Sequence, residues 1–243
     1  MNKKNTLFLD FDGVIFNTLK EAYLICRCAF CRIDTQMPID QEEYQRFYKF
    51  KFLVYNSWQY YYLMKVLLDS TIKTDIEVLE KYKYYLNNRD IKAESLFDKK
   101  YYLTRDLMKK NDFDFWDGLE EPFDFFFEVK NLFNTSNIDI IIVSKKDFNS
   151  IEYRLKQYGL NLLKDKIFAK EQLAMYANKS DFIKEYMLKN NVQKAIFVDD
   201  NTNNLVPCKG IIGLEVFLAG WGNIAIDETG LTCYDIINKV RLL

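Results

Sequence analysis

Three short apolar runs in this chain stop abruptly at an acidic or hydroxyl residue. Residues 7–9 end at Asp10, residues 140–143 end at Ser144, and residues 196–198 end at Asp199 and Asp200. Uninterrupted apolar runs of this length, bounded by polar groups, fit strands buried on both faces, as in a parallel sheet. Two further candidates lie at 167–168 and 215–219. Helical patterns separate them: 123–133 leading into a strand at 138–143, a helix capped by Asp147 and stopped by Gly159, 179–189 behind Asn178, a strand at 195–198, a turn at 201–204, and a closing helix at 234–242. Strand–helix alternation of this kind predicts an α/β fold with a doubly wound parallel sheet.

One interval does not fit that rhythm. Asp10 and Ser144 are separated by far more chain than the roughly 30 residues a βαβ unit needs. About 100 residues are inserted after the first strand, which is the size of a domain. The insert reads as helical throughout. Residues 74–77 (ThrAspIleGlu) form a capping box ahead of ValLeuGluLysTyrLysTyrTyrLeu. Residues 51–69 are apolar or aromatic nearly all round, the pattern of one central helix in a bundle. Segments 17–32, 41–50 and 94–110 complete a bundle of four or five helices. The expected division is therefore a core of residues 1–16 and 120–243, with an all-helical domain at 17–119.

Ligands of open α/β sheets bind just outside the carboxyl ends of the strands. Asp10, Asp12, Ser144, Asp199 and Asp200 are thus expected to gather at one sheet edge. Carboxylates brought together repel each other unless a cation lies among them, and Mg²⁺ prefers oxygen ligands. Asp10 and Asp12 are two residues apart, so both point the same way from a strand end, and Gly13 lets the chain turn sharply behind them. Lys179 breaks a local rule. With Asn178 as N-cap it opens a helix, where a cation opposes the dipole. Residues that break such rules often mark function. Lys170 is the rival position.

The ordered set AspPheAspGlyVal, strand–Ser, Lys and strand–AspAsp resembles the haloacid dehalogenase (HAD) superfamily, a large set of mostly Mg²⁺-dependent phosphohydrolases. The resemblance covers the whole chain as an ordered set of motifs. It implies a Rossmann-like core, with the helical insert corresponding to a cap of the first type. It implies Asp10 as nucleophile, forming an aspartyl-phosphate. Asp12 would protonate the leaving oxygen and later take a proton from water. Ser144 would donate to a phosphoryl oxygen, and Lys179 would neutralise the phosphoryl group and hold Asp10 charged. The implied Mg²⁺ ligands are Asp10, the backbone carbonyl of Asp12, Asp199, and Asp200 directly or through water. Asn203 or Asn204 would orient that loop. Members that cleave carbon–halogen bonds generally lack the second aspartate, so Asp12 favours phosphoryl transfer.

The resemblance leaves alternatives. The same motifs serve a sugar phosphomutase. A phosphonate hydrolase would need a cap lysine for a Schiff base, and Lys20, Lys49, Lys51 and Lys65 are available. A non-catalytic protein binding a phosphorylated ligand could keep the fold, although clustered carboxylates are costly to keep without a function. The expected partner is a small phosphorylated metabolite. The aromatic set Phe47, Tyr48, Phe50, Phe52, Tyr55, Trp58, Tyr60, Tyr61 and Tyr62 could line a pocket for an aromatic or nucleoside substrate, but core packing explains most of it better.

Composition narrows this picture. The 243 residues are 49% hydrophobic with a formal net charge of −1. That balance leaves no electrostatic footprint for nucleic acid or an anionic membrane. No run of the roughly 20 apolar residues a membrane helix needs is present. The opening MetAsnLysLys mimics a signal peptide, but Asp10 and Asp12 interrupt the apolar run too early. A cytoplasmic protein is expected. Cys26, Cys28 and Cys31 lie close together, yet zinc needs a fourth ligand. The chain has no histidine, so they read as small apolar residues on a helix in a reduced compartment. The absence of histidine also excludes serine–histidine and cysteine–histidine mechanisms, leaving acid–base work to carboxylates, lysine or tyrosine.

Overall fold

The computed structural model describes residues 5–31, 38–225 and 227–243. Strand β1 (Asn5–Leu9) is followed by a tight loop, in which the amides of Ile15 and Phe16 both donate to the carbonyl of Phe11, and by a two-residue strand β2 (Phe16–Asn17). Helices α1 (Leu19–Cys31), α2 (Gln41–Phe50), α3 (Tyr60–Leu67), α4 (Asp75–Asn87), α5 (Ile91–Asn111) and α6 (Phe113–Asp117) come next. Strand β3 (Glu121–Pro122) then pairs antiparallel with β2, so the chain leaves and re-enters the sheet unit through two adjacent strands. The remainder alternates: α7 (Asp124–Thr135), β4 (Asp139–Val143), α8 (Phe148–Gln157), β5 (Ile167–Phe168), α9 (Lys170–Leu173), α10 (Lys179–Lys189), β6 (Lys194–Asp199), α11 (Thr202–Leu205), β7 (Leu214–Leu218) and α12 (Cys233–Arg241).

The main sheet is parallel, in the order β5-β4-β1-β6-β7. Successive side chains alternate between its faces. On one face Leu7, Leu9, Ile140, Ile142, Ile196 and Val198 pack against Phe125, Phe126 and Val129 of α7, Ile151 and Leu155 of α8, and Ile236 and Val240 of α12. On the other, Phe8, Ile141, Val143, Ala195 and Phe197 meet Phe182, Ile183 and Met187 of α10 and Leu205 of α11. Burying each large side chain contributes about 1.5–3 kcal/mol, and helices on both faces explain why the strands read as unbroken apolar runs. This is the expected doubly wound α/β fold.

The residues divide into two units: one formed by the segments ending at Asn17 and running from Glu121 to Leu243, the other by Thr18–Glu120. The second unit is helical. Its interior holds Tyr23, Phe47, Tyr62, Leu63, Met64 and Val66, all essentially inaccessible to solvent. Of the aromatic set, Phe47, Phe50, Tyr60 and Tyr62 are buried, Tyr48 is exposed, and the others are half-buried. Rings stack across elements, Phe47 on Tyr60 at 5.8 Å and Tyr62 on Tyr85 at 5.8 Å.

Several elements differ from the sequence-based expectation. Residues 51–69 do not form one helix. Short 3₁₀ turns occupy Lys51–Leu53 and Ser57–Gln59, and only Tyr60–Leu67 is α-helical. The break comes from Asn56, whose backbone is extended and whose amide, with that of Tyr55, donates to the Gln59 side chain at 2.9 and 2.8 Å. A polar start signal inside an apolar run outweighs the run. Asp90 caps α5 through the amide of Ala93 and starts it at Ile91, ahead of the expected 94. Where a turn is expected at 201–204, Thr202–Leu205 form the short helix α11 behind Asn201. The strands β2 and β3 and helix α6 were not expected. Arg32, the end of the expected helix at 17–32, lies outside the described residues.

Candidate active site

The sheet register delivers the strand ends to one place. Leu9 is opposite Ile142 on one side and Val198 on the other, and the amide of Asp10 donates to the carbonyl of Val198 at 3.0 Å. Asp10 therefore lies between the end of β4, which leads into Ser144, and the end of β6, which carries Asp199 and Asp200. Asp10, Asp199 and Asp200 are buried, and each offers a carboxylate oxygen such that all three lie within 4.8 Å of one another. No other such group occurs among the described residues. The cysteines form none: Cys26 and Cys28 are buried in α1, and Cys31 is exposed at its end.

Lys179 stands in the middle of this cluster. Asn178 caps α10, accepting from the amide of Asp181 at 2.9 Å, which sets Lys179 as the first helical residue. Its buried Nζ is 2.8 Å from Asp10 Oδ2 and 2.8 Å from Asp199 Oδ2. Burial pulls the lysine's proton affinity down, but Asp10 and Asp199 outweigh it and hold the ammonium above its usual range. Burial dominates the opposite balance at Asp10. Its carboxyl is pushed up to about 6, with Lys179 lowering it and Asp199 raising it. Asp199 is raised too, first by burial. Lys170, the rival, is exposed at the start of α9.

The two neighbouring aspartates of β6 are held differently. Asp199 takes donors from Lys179, from the amide of Asn201 at 2.9 Å, and from Asn204 Nδ2 at 3.1 Å to each oxygen. Asn204, and not Asn203, is thus the asparagine that orients the carboxylate; Asn203 Nδ2 points to Asn201 at 3.4 Å. Asp200 Oδ2 accepts from the amide and the side chain of Asn223 at 2.9 and 2.8 Å. Two glycines make room for it. A Cβ on Gly13, whose φ is +80°, would lie 1.9 Å from Asp200 Oδ2, and one on Gly222 would lie 2.3 Å from Asp200 Cβ. Side chains are excluded at both positions by sterics alone.

Asp12 is set apart from the acidic cluster. Its carboxylate is about one-third exposed (38%) and pairs with Lys146 Nζ at 3.2 Å. Ser144 is buried at the end of β4, its amide donating to the carbonyl of Phe168 and its Oγ accepting from the amide of Lys146 at 3.3 Å. Lys145, exposed as a residue, has its ammonium drawn below the usual lysine range by desolvation and then by Lys179, against the pull of Asp10 and Asp199. In the helical unit Lys49 pairs with Asp75, Lys51 lies over the ring of Tyr60 at 5.5 Å, and Lys65 over that of Tyr85 at 4.3 Å.

No protein-family model matches the chain, and no curated protein matches it in sequence. Solved structures do match. A haloacid dehalogenase-like family hydrolase from Streptococcus pneumoniae is 12% identical with a TM-score of 0.59 over 98% of each chain. A protein described as a predicted phosphatase, from Clostridium acetobutylicum, is 13% identical with a TM-score of 0.65 over all of each chain. A predicted phosphoglycolate phosphatase from Haemophilus somnus is 12% identical with a TM-score of 0.57 over 94% of this chain and 90% of its own.

The fold is that of the haloacid dehalogenase-like hydrolases. The superposition runs the length of the chain, so the haloacid dehalogenase-like fold includes the helical insert as well as the sheet. Within this fold, sequence reasoning overlooked Lys146 and Asn223. Lys146 follows Ser144 by two residues in a short polar turn, and Asn223 directly follows GlyTrpGly at 220–222. Both approach the site only through chain closure, from positions 134 and 23 residues away from their partners.

Proposed function

We propose that this chain is a cytoplasmic, Mg²⁺-dependent phosphohydrolase that cleaves a small phosphomonoester through an aspartyl-phosphate on Asp10. One observation carries the reading: a buried lysine, Lys179, bridges Asp10 and Asp199 at 2.8 Å each, at a strand-end site that also buries Asp200. A binding module has no use for three carboxylates buried together.

The residues fit a hard divalent cation. The donors are all oxygen, three carboxylates within 4.8 Å of one another, the ligand type a hard divalent cation prefers. Asp10 and Asp200, the backbone carbonyl of Asp12, and Asp199 would hold it. When bound, Mg²⁺ offsets the repulsion between a carboxylate and an approaching phosphate. The chain's own groups do the rest. A carboxylate oxygen of Asp10 bonds to phosphorus as the bond to the leaving oxygen breaks, and Asp12 gives that oxygen its proton. Lys179 and Ser144 hold phosphoryl oxygens, and Lys179 keeps Asp10 ionised. Water then attacks phosphorus, Asp12 takes back a proton, and inorganic phosphate leaves with Asp10 regenerated.

The helical insert is assigned substrate choice because it is the chain segment inserted between the first aspartates and Ser144. The structural match described as a predicted phosphoglycolate phosphatase makes small phosphorylated acids the first substrates to try. The deciding experiment is phosphate release from p-nitrophenyl phosphate and a panel of metabolite phosphates with Mg²⁺, beside Asp10→Asn. Release that falls by at least ~10³-fold in the variant supports the reading. Undiminished release by Asp10→Asn, or none from any phosphate by the wild type, overturns it. A mutase would release little phosphate without a sugar acceptor.

A further inference from the structure

Lys146 is a buried lysine whose ammonium serves a half-exposed aspartate. Its side chain is 3% exposed against 38% for Asp12, and the two approach at 3.2 Å. The asymmetry matters. An exposed carboxylate samples several rotamers, whereas a lysine buried along its length has one position available.

The turn that carries Lys146 is held by its backbone. The amide donates to Ser144 Oγ at 3.3 Å, and the carbonyl accepts from the amide of Lys170 at 3.0 Å. Asp147 then caps α8 by accepting from the amide of Ser150 at 2.9 Å. Nζ lies over the ring of Phe11, 5.7 Å from its centre, a cation–π approach. The backbone contacts require no positive charge. An apolar side chain of similar length would fill the same space without the cost of burying an ammonium. The charge has a counter-ion at 3.2 Å in the carboxylate of Asp12.

We propose that Lys146 is a positioning residue that aims Asp12 at the leaving oxygen. This inference rests on the phosphohydrolase reading above. The turn after β4 then has two duties: Ser144 meets the phosphoryl group, and Lys146, two residues later, fixes the acid that finishes the bond cleavage. A general acid matters most where the leaving group is poor, and least where it departs readily as an anion. Loss of the lysine therefore acts selectively.

The test is kcat/KM over a leaving-group series, from p-nitrophenyl phosphate through phenyl phosphate to a simple alkyl phosphate, for wild type, Lys146→Met and Lys146→Arg. In Lys146→Met the alkyl substrate is expected to lose about ten- to a hundredfold, as misplacement of a reacting group does, and p-nitrophenyl phosphate less than about threefold. Lys146→Arg keeps most of the alkyl rate. The ratio between substrates cancels the amount of folded enzyme, so a partly unfolded variant still reports. Equal losses on every substrate, or none on any, overturn the positioning role while leaving the phosphatase intact. A wild type that releases phosphate from no member of the series removes the reading and this inference together.

Discussion

Asp10 lies where burial outweighs the attraction of Lys179, so its carboxyl is pushed up to about 6 from an ordinary value of 3.8. Between those values the folded chain keeps a proton at Asp10 that the unfolded chain has released. Stability from this group is therefore fully present below 3.8 and is lost as pH rises toward about 6. A rise of that size corresponds to about 3 kcal/mol as an upper figure. Asp10→Asn removes the titration. In chelator, the variant is expected to gain thermal stability relative to wild type as pH goes from acid toward neutral, read as the difference in Tm. A flat difference across the window would show that Lys179 fully compensates the buried charge. At this scale the sequence was readable where chemistry sits at strand ends, as with Asp10, Ser144 and Asp199. It was silent on Lys146 and Asn223, because a side chain's partner across 134 or 23 residues is decided by chain closure and leaves no local pattern.

Among elements, the helical unit shows which signals are local. The capping box at Thr74 and Glu77 starts α4 as the sequence states, with Glu77 accepting from the amides of Lys73 and Thr74 at 2.8 Å each. The apolar segment 51–69 misleads because hydrophobic pattern gives burial but not continuity, and Asn56 and Gln59 reset the helix in its middle. Helix packing in this unit also depends on a polar contact no periodicity reveals. Glu21 of α1 accepts from Arg105 Nε of α5 at 2.7 Å and from Trp116 Nε1 of α6 at 2.6 Å, all three buried. Removing one partner of a buried ion pair strands the other. Arg105→Met is expected to destabilise the fold by about 3–5 kcal/mol in chemical denaturation, and Arg105→Met with Glu21→Gln by clearly less. Equal losses for the single and double variants would mean that the arginine matters through packing or through buried Glu120, 4.0 Å from its Nη2, rather than through Glu21.

For the whole molecule, strand order and register convert three separated sequence motifs into one buried acidic cluster, and the cost of that cluster is distributed over the entire sheet unit. The fold class was legible because strands covered on both faces read as unbroken apolar runs; the position of each strand in the sheet was not, since parallel order depends on crossovers rather than on local pattern. Asp10, Asp199 and Asp200 repel one another, with Lys179 bridging two of them, and on the proposed function a divalent cation would relieve that repulsion, linking cation binding to stability. Any ligand that binds the folded chain alone stabilises it by RT ln(1 + [L]/Kd), about 2.7 kcal/mol at a hundredfold excess over Kd. Mg²⁺ titrated into chelator-treated protein is expected to raise Tm in a saturable way and to restore phosphate release over the same concentration range. Asp200→Asn weakens the response by removing a charge from the cluster, whereas Asp69→Asn, half-buried in the helical unit and outside the cluster, leaves it unchanged. Activity that persists in chelator, or a Tm response undiminished in Asp200→Asn, would separate the acidic cluster from the cation and leave Lys179 to carry the phosphate alone.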